Sequence, residues 1–141
     1  MRLLDTCVIS EVLKTRPDPR ALRWLGEADD RSLYLSVVTL GEIAQGAALL
    51  EPGPRQAAIL DWLDGLHQQF AERILPVDAR VARRWGRLAA GARRKGRVLS
   101  VPDGLIAATA LEHDMALVTR NESDFVGTGV PVINPWRAEQ G

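Results

Sequence analysis

The stretch Met1-Arg2-Leu3-Leu4-Asp5-Thr6 decides how the rest of the chain is read. Leu3 and Leu4 form a short apolar run that stops at a carboxylate. Val8, Ile9, Glu11, Val12 and Leu13 then read as the start of a helix. A buried strand ending in an acid at a strand-to-helix turn is how open α/β sheets build sites, because ligands bind outside the carboxyl ends of the strands. Asp5 also has a purely structural reading as the N-cap of the helix that follows. Which reading holds depends on how often the pattern returns.

Working outward, the pattern predicts strands at 1–5, 33–36, 74–77, 116–119 and 130–133, the last an edge strand because of Pro131. Helices are predicted at about 6–14, 39–50, 55–71 and 79–95, and from Ser100 onward. Another follows the turn Arg16-Pro17-Asp18-Pro19, with Leu22, Leu25 and Ala28 inward. Pro52-Gly53-Pro54 breaks one helix, Asp78 caps the next, and Gly96 ends it. Strands alternating with helices, without repeats or a linker, predict an α/β domain around a mostly parallel sheet. At 141 residues the expected organisation is a single domain over 1–136 with a loose tail at 137–141.

No apolar run approaches the ~18 residues of a membrane span, and Asp5 interrupts any signal-peptide layout. A single cysteine, Cys7, excludes an internal disulfide and fits a reducing compartment. The 18 Lys and Arg balance the 18 Asp and Glu, so net charge says nothing of partners, but their distribution does. From Ala79 to Pro102 there is no acid, whereas Arg80, Arg83, Arg84, Arg87, Arg93, Arg94, Lys95 and Arg97 all fall there. This is either a solvated helix face or a phosphate-binding surface.

Acids recur at the other turns. Thr39-Leu40-Gly41-Glu42 follows the second strand, Ser100-Val101-Pro102-Asp103 opens the helix before the fourth, and Asn121-Glu122-Ser123-Asp124 follows the fourth. Each reads alone as a capping box or a near variant. Together they carry a cost. Carboxylates gathered at one sheet edge repel and raise one another's pKa unless something compensates. Helix N-termini help by ~0.3–1 kcal/mol each, and a divalent cation helps far more. Oxygen donors without His or Cys suit Mg²⁺ or Mn²⁺ rather than zinc, and such an ion supports phosphodiester hydrolysis. His67 lies within a helix and His113 near a helix end, neither in a ligand pattern. No Gly-rich phosphate loop is present. Thr6, Ser36, Thr39, Ser100 and Thr119 sit beside the acids, where helix capping is their expected role.

Leu4-Asp5-Thr6-Cys7-Val8-Ile9-Ser10-Glu11, Leu35-Ser36 with Glu42, Asp103-Gly104-Leu105-Ile106-Ala107-Ala108-Thr109-Ala110, Val118-Thr119-Arg120-Asn121 and Asn134-Pro135-Trp136 together resemble the PIN-domain ribonucleases. The resemblance is strongest to the VapC and FitB toxins of bacterial type II toxin–antitoxin systems, and it covers nearly the whole chain in order. It implies a PIN-like three-layer fold with a central five-stranded sheet flanked by helices. It also implies a homodimer, Mg²⁺- or Mn²⁺-dependent cleavage of RNA, a cognate antitoxin that can join a hetero-oligomer, and a bacterial cytoplasm.

Asp5, Glu42 and Asp103 match the three constant acids of the family. Asn121 stands where relatives carry Asp or Asn, and Asp124 matches an acid a few residues later; either supplies the fourth donor. Cys7 stands where relatives commonly have Asn.

The reading is therefore an endoribonuclease toxin with Asp5, Glu42, Asp103 and Asn121 as catalytic residues and Asp5, Asp103 and Asp124 as metal ligands. Arg83, Arg84, Arg87, Arg93 and Arg94 are candidates for contacting RNA. An antitoxin tail is expected to place an Arg or Lys among Asp5, Glu42 and Asp103, with its apolar residues in a groove by the first helices. The alternative is a catalytically weak PIN-like module that binds RNA or protein, favoured by the neutral Asn121. A receiver domain is a poorer fit, since it needs an acidic pair at the first strand end and a lysine after a late strand.

Overall fold

The computed structural model describes residues 1–137, so most of the tail expected at 137–141 lies outside the described residues. Within them, Arg137 pairs with Glu122 at 2.6 Å.

Five strands, β1 (Arg2–Leu4), β2 (Leu33–Ser36), β3 (Ile74–Leu75), β4 (Ala116–Val118) and β5 (Val132–Ile133), form one sheet in the order β3-β2-β1-β4-β5. Every neighbouring pair is parallel, and β1 is central, with Leu3 opposite Tyr34 on one side and Leu117 on the other. β5 is an edge, as Pro131 predicts. β2 has its expected bounds, whereas β1, β3 and β4 stop one or two residues before the expected end and β5 starts two residues late, at Val132.

Alternate strand residues face two apolar clusters, which is why strands covered on both faces read as continuous apolar runs. Leu4, Leu33, Leu35 and Val118 join one cluster. It also takes Val8 and Ile9 from α1 (Thr6–Glu11), Ala21 from α2 (Pro19–Glu27), Ile43 from α3 (Val37–Ala48), and Leu66 from α4 (Pro54–Gln69) with Phe70 just beyond it. Leu3 and Leu117 join the other, with Leu88 of α5 (Ala79–Arg94) and Ile106, Ala107 and Ala110 of α6 (Val101–Glu112). Helices therefore cover both faces, giving three layers.

Two expectations need correction. The buried face of α2 is Ala21 with half-buried Trp24 and Leu25, while Leu22 is exposed. The helix packs through Ala21, Trp24, Leu25 and Ala28, a stripe that leaves Leu22 on its outer side. Helix α3 begins at Val37, ahead of the expected Thr39, because the Ser36 hydroxyl accepts from Val38 N at 3.0 Å and caps it there.

On the far face, Gly104 lets α6 approach α5. A Cβ at this position would stand 2.7 Å from Trp85 Cδ1 and 2.9 Å from Trp85 Nε1. This close approach fixes the first turn of α6, and with it the position of Asp103.

Candidate metal and nucleic-acid site

β2 and β4 flank β1 although they are far apart in sequence, so the strand order switches from one side of β1 to the other between β3 and β4, while every strand keeps the same direction. A crevice at such a switch point, beyond the carboxyl ends of the strands, is where open α/β sheets bind ligands. Asp5 stands at the end of β1 and Thr119 at the end of β4. Asp5 N continues the ladder to Val118 O at 2.9 Å.

Asp5 is 5% exposed and held at both oxygens. Oδ1 accepts from Thr6 N at 2.9 Å, so Asp5 does cap α1. Oδ2 accepts from Thr119 Oγ1 at 2.7 Å and from the Cys7 thiol at 3.7 Å. Burial nevertheless raises the Asp5 pKa above the ordinary carboxylate value; its hydrogen bonds lower it and the charge of Asp124 pushes it up further.

Glu42 lies on the second turn of α3, where its Oε1 accepts from Thr6 Oγ1 at 2.5 Å. Thr6 Oγ1 also lies 3.1 Å from Thr39 Oγ1. The expected capping box at Thr39–Glu42 is therefore absent. Both residues lie inside the helix, and Thr39 is buried as part of a polar chain leading to Glu42.

Ser100 caps α6 by accepting from Asp103 N at 3.2 Å, as its spacing predicts. The Asp103 pKa is raised, first by burial and then by the charges of Asp5, Asp124 and Glu42, while the Ser100 hydrogen bond lowers it. Four acids from four segments thus share one electrostatic neighbourhood.

Asn121 makes no side-chain cap and precedes only a short 3-10 turn at Glu122–Phe125, so the capping box expected there is also absent. Its backbone N donates to Thr119 Oγ1 at 3.0 Å. Asp124 lies exposed on that turn.

The two threonines at strand ends are what the sequence understates. Capping is the role their positions suggest, yet Thr6 and Thr119 each hold a carboxylate of the cluster. Their signal is position, a hydroxyl one residue past a buried strand or its terminal acid. Cys7 accepts from Arg120 N at 3.5 Å as well as donating to Asp5, and burial and the Asp5 charge keep its thiol protonated.

Among the described residues, none of Asp5, Glu42, Asp103 or Asp124 has a basic side chain within ion-pair distance. No three Asp, Glu, His or Cys side chains among them close into a ready-made cage. The donor set, carboxylates without His or the neutral thiol of Cys7 as a ligand, is of the oxygen type that a hard cation such as Mg²⁺ takes. The acids' donors are all oxygens, and among the described residues hydrogen bonds but no ion pair offset their mutual repulsion.

Of the candidate RNA-binding residues, Arg84 is engaged elsewhere, since its guanidinium pairs with Glu112 of α6. Arg83, Arg87, Arg93 and Arg94 are exposed.

A parallel sheet with acids converging at its switch point is the architecture of a small nuclease-like domain, and comparison with known proteins bears this out. The chain belongs to the PIN domain family, whose model matches residues 2–129. It is similar to the VapC ribonuclease Y4jK of Sinorhizobium fredii, at 39% identity over 137 residues covering 96% of this chain and 98% of that protein. It is similar to Toxin FitB of Neisseria gonorrhoeae, at 38% identity covering 96% of this chain and 99% of that one. The crystal structure of FitAcB from Neisseria gonorrhoeae superposes with a TM-score of 0.91 at 38% identity, covering 97% of this chain and 99% of that chain. No helix among the described residues is long and apolar enough to cross a membrane.

Proposed function

We propose that this protein is the toxin of a type II toxin–antitoxin system, a single PIN domain that hydrolyses RNA phosphodiester bonds with Mg²⁺ or Mn²⁺. The observation that carries the reading is the electrostatic convergence of Asp5, Glu42 and Asp124 on Asp103, with none of the four in an ion pair among the described residues. The similarity to a VapC ribonuclease and to Toxin FitB, each over nearly the whole chain, supports it.

Asp5 and Asp103 would hold the ion, directly or through water, with Asp124 or the Asn121 amide as a further donor. When bound, a divalent cation neutralises charge on the phosphate and activates water. The chain's own residues do the rest. Thr119 and Thr6 N fix the two oxygens of Asp5, so the carboxylate cannot rotate away from the crevice. Thr6 Oγ1 holds Glu42 by one oxygen, leaving the other to orient the attacking water. Ser100 sets the start of α6 and so the direction from which Asp103 enters.

The proposed partner is an antitoxin whose tail carries a cationic residue into the acid cluster. A groove of about 190 Å³, lined by Ile9, Val12, Leu25, Trp62 and Phe70, runs beside the first helices and suits the apolar part of such a tail. The neutral Asn121 favours a second reading, a module that binds RNA without cutting it.

The test is RNA cleavage by purified protein. Cutting is expected with Mg²⁺ or Mn²⁺ and is expected to stop in EDTA. Undiminished cutting in EDTA would contradict the mechanism, and RNA binding without cutting in either metal would favour the second reading.

A further inference from the structure

Beside the acid cluster lies a cavity of about 370 Å³, between the C-terminal half of α5 and the segments around Val98 and Val126. Three cations line it, Arg87, Lys95 and Arg97, against a single acid, Asp124. Among the described residues, the ion pairs use Lys14, Arg20, Arg84 and Arg137, so none of the three lining cations is paired. Three exposed cations without a protein counter-ion on one cavity wall leave it free to take an anionic group.

Basic residues are favoured near a helix C-terminus, but the end of α5 is already closed by its own backbone. Lys95 N and Arg97 N donate to Ala92 O at 3.0 and 2.9 Å, and Gly96 N donates to Arg93 O at 3.1 Å. The Arg97 guanidinium lies against Gly127. Its Nη1 stands 2.9 Å from where a Cβ on Gly127 would be, and Gly127 has φ +85°, a conformation that favours glycine.

The cavity also has apolar, open lining. Val98 is 96% exposed and Val126 is 57% exposed, and both line the cavity with Leu88. Exposed valines beside unpaired cations fit a ligand with an anionic group on one side and a flat apolar body on the other. A nucleotide of single-stranded RNA has this form. Asp124 joins the cavity to the acid cluster, since its charge is felt by both Asp5 and Asp103.

We infer that this cavity binds the RNA nucleotide next to the bond that is cut. Its phosphate lies among Arg87, Lys95 and Arg97, and its base lies against Val98 and Val126. The inference rests on the nuclease reading above and assigns the RNA path. It runs over the C-terminal half of α5, excluding Arg84 and leaving Arg80 unused.

The experiment measures binding of a labelled single-stranded RNA oligonucleotide in EDTA across a salt series, with cleavage of the same RNA in Mg²⁺ or Mn²⁺ followed in parallel. The combined variant Arg87→Ala with Arg97→Ala is expected to lose about tenfold in affinity, and its slope of log K against log salt to flatten by about 0.7 for each phosphate it no longer neutralises. Arg80→Ala, on the exposed first turn of the same helix, is expected to keep the parental slope. Val98→Glu, at a side chain that packs against almost nothing, is expected to weaken binding without changing the melting temperature. An abasic oligonucleotide of equal charge is expected to bind the parent more weakly. A double variant with the parental slope would overturn the cavity assignment even if the parent cuts RNA. Equal binding of the abasic strand would overturn the base half of it. A parent that neither binds nor cuts RNA would overturn the underlying reading instead.

Discussion

Thr119 Oγ1 donates a 2.7 Å hydrogen bond to Asp5 Oδ2, joining the ends of two adjacent parallel strands 114 positions apart in sequence. Thr119 is fully buried, so the bond is made away from water. Replacing it with the near-isosteric Thr119→Val removes a donor from a buried carboxylate, at a cost of ~1–3 kcal/mol. Thr119→Ser keeps the hydroxyl and is expected to lose much less. Urea denaturation of the three proteins checks this, and equal losses for Val and Ser would assign the effect to packing.

Gly104 carries a packing constraint that bears directly on Asp103. A methyl group there meets the edge of the Trp85 indole at 2.7 Å, so Gly104→Ala must push α5 and α6 apart. The expected cost is ~1–3 kcal/mol, with a loss of RNA cleavage larger than the loss of folded protein at the assay temperature. Thermal unfolding and a cleavage assay on the same preparation separate the two.

How much of the fold and site is legible in the sequence follows from which forces are local. Helix-ending Gly96, capping Asp78 and Ser100, and edge-marking Pro131 act within a few residues, and each does what its chemistry predicts. The strands are legible because burial on both faces leaves an apolar run. Hidden are the choices settled by distant partners. Ser36 rather than Thr39 caps α3, which frees Thr39 to join Thr6 and Glu42. Arg84 reads like its neighbours on α5, and only the packing of α6 puts Glu112 beside it. The acids are each explicable as caps. Only the sheet order, which brings β4 against β1, gathers them at one edge, where their charges are felt together.

The acid cluster predicts an unusual pH dependence. Asp5 and Asp103 both have folded-state pKa values above the ordinary carboxylate range. The folded protein therefore holds their protons more firmly than the unfolded chain does. By linkage, their contribution to stability falls as pH rises from the ordinary range through the raised values. In EDTA, the stability of the parent relative to the combined variant Asp5→Asn with Asp103→Asn is expected to decline over that interval. With Mn²⁺ the trend is expected to reverse, because the ion competes with protons for the same oxygens. Melting temperatures of both proteins from acid to neutral pH, with and without metal, give the answer. A difference independent of pH would contradict the raised values.

The central claim is that Asp5, Asp103 and Asp124 share one cation site, with Glu42 beside it, beyond any part they take in helix starts, and Asp103→Asn tests it most directly. The measurement is thermal unfolding of parent and variant at neutral pH, in EDTA and in Mn²⁺. In EDTA the variant is expected to be as stable as the parent or more so, because a half-buried like charge is removed. Mn²⁺ at a hundredfold excess over its dissociation constant is expected to stabilise the parent by ~2.7 kcal/mol, and the variant by much less. A variant that loses stability in EDTA yet keeps the full Mn²⁺ shift would contradict the account, making Asp103 part of the helix start and putting the cation elsewhere.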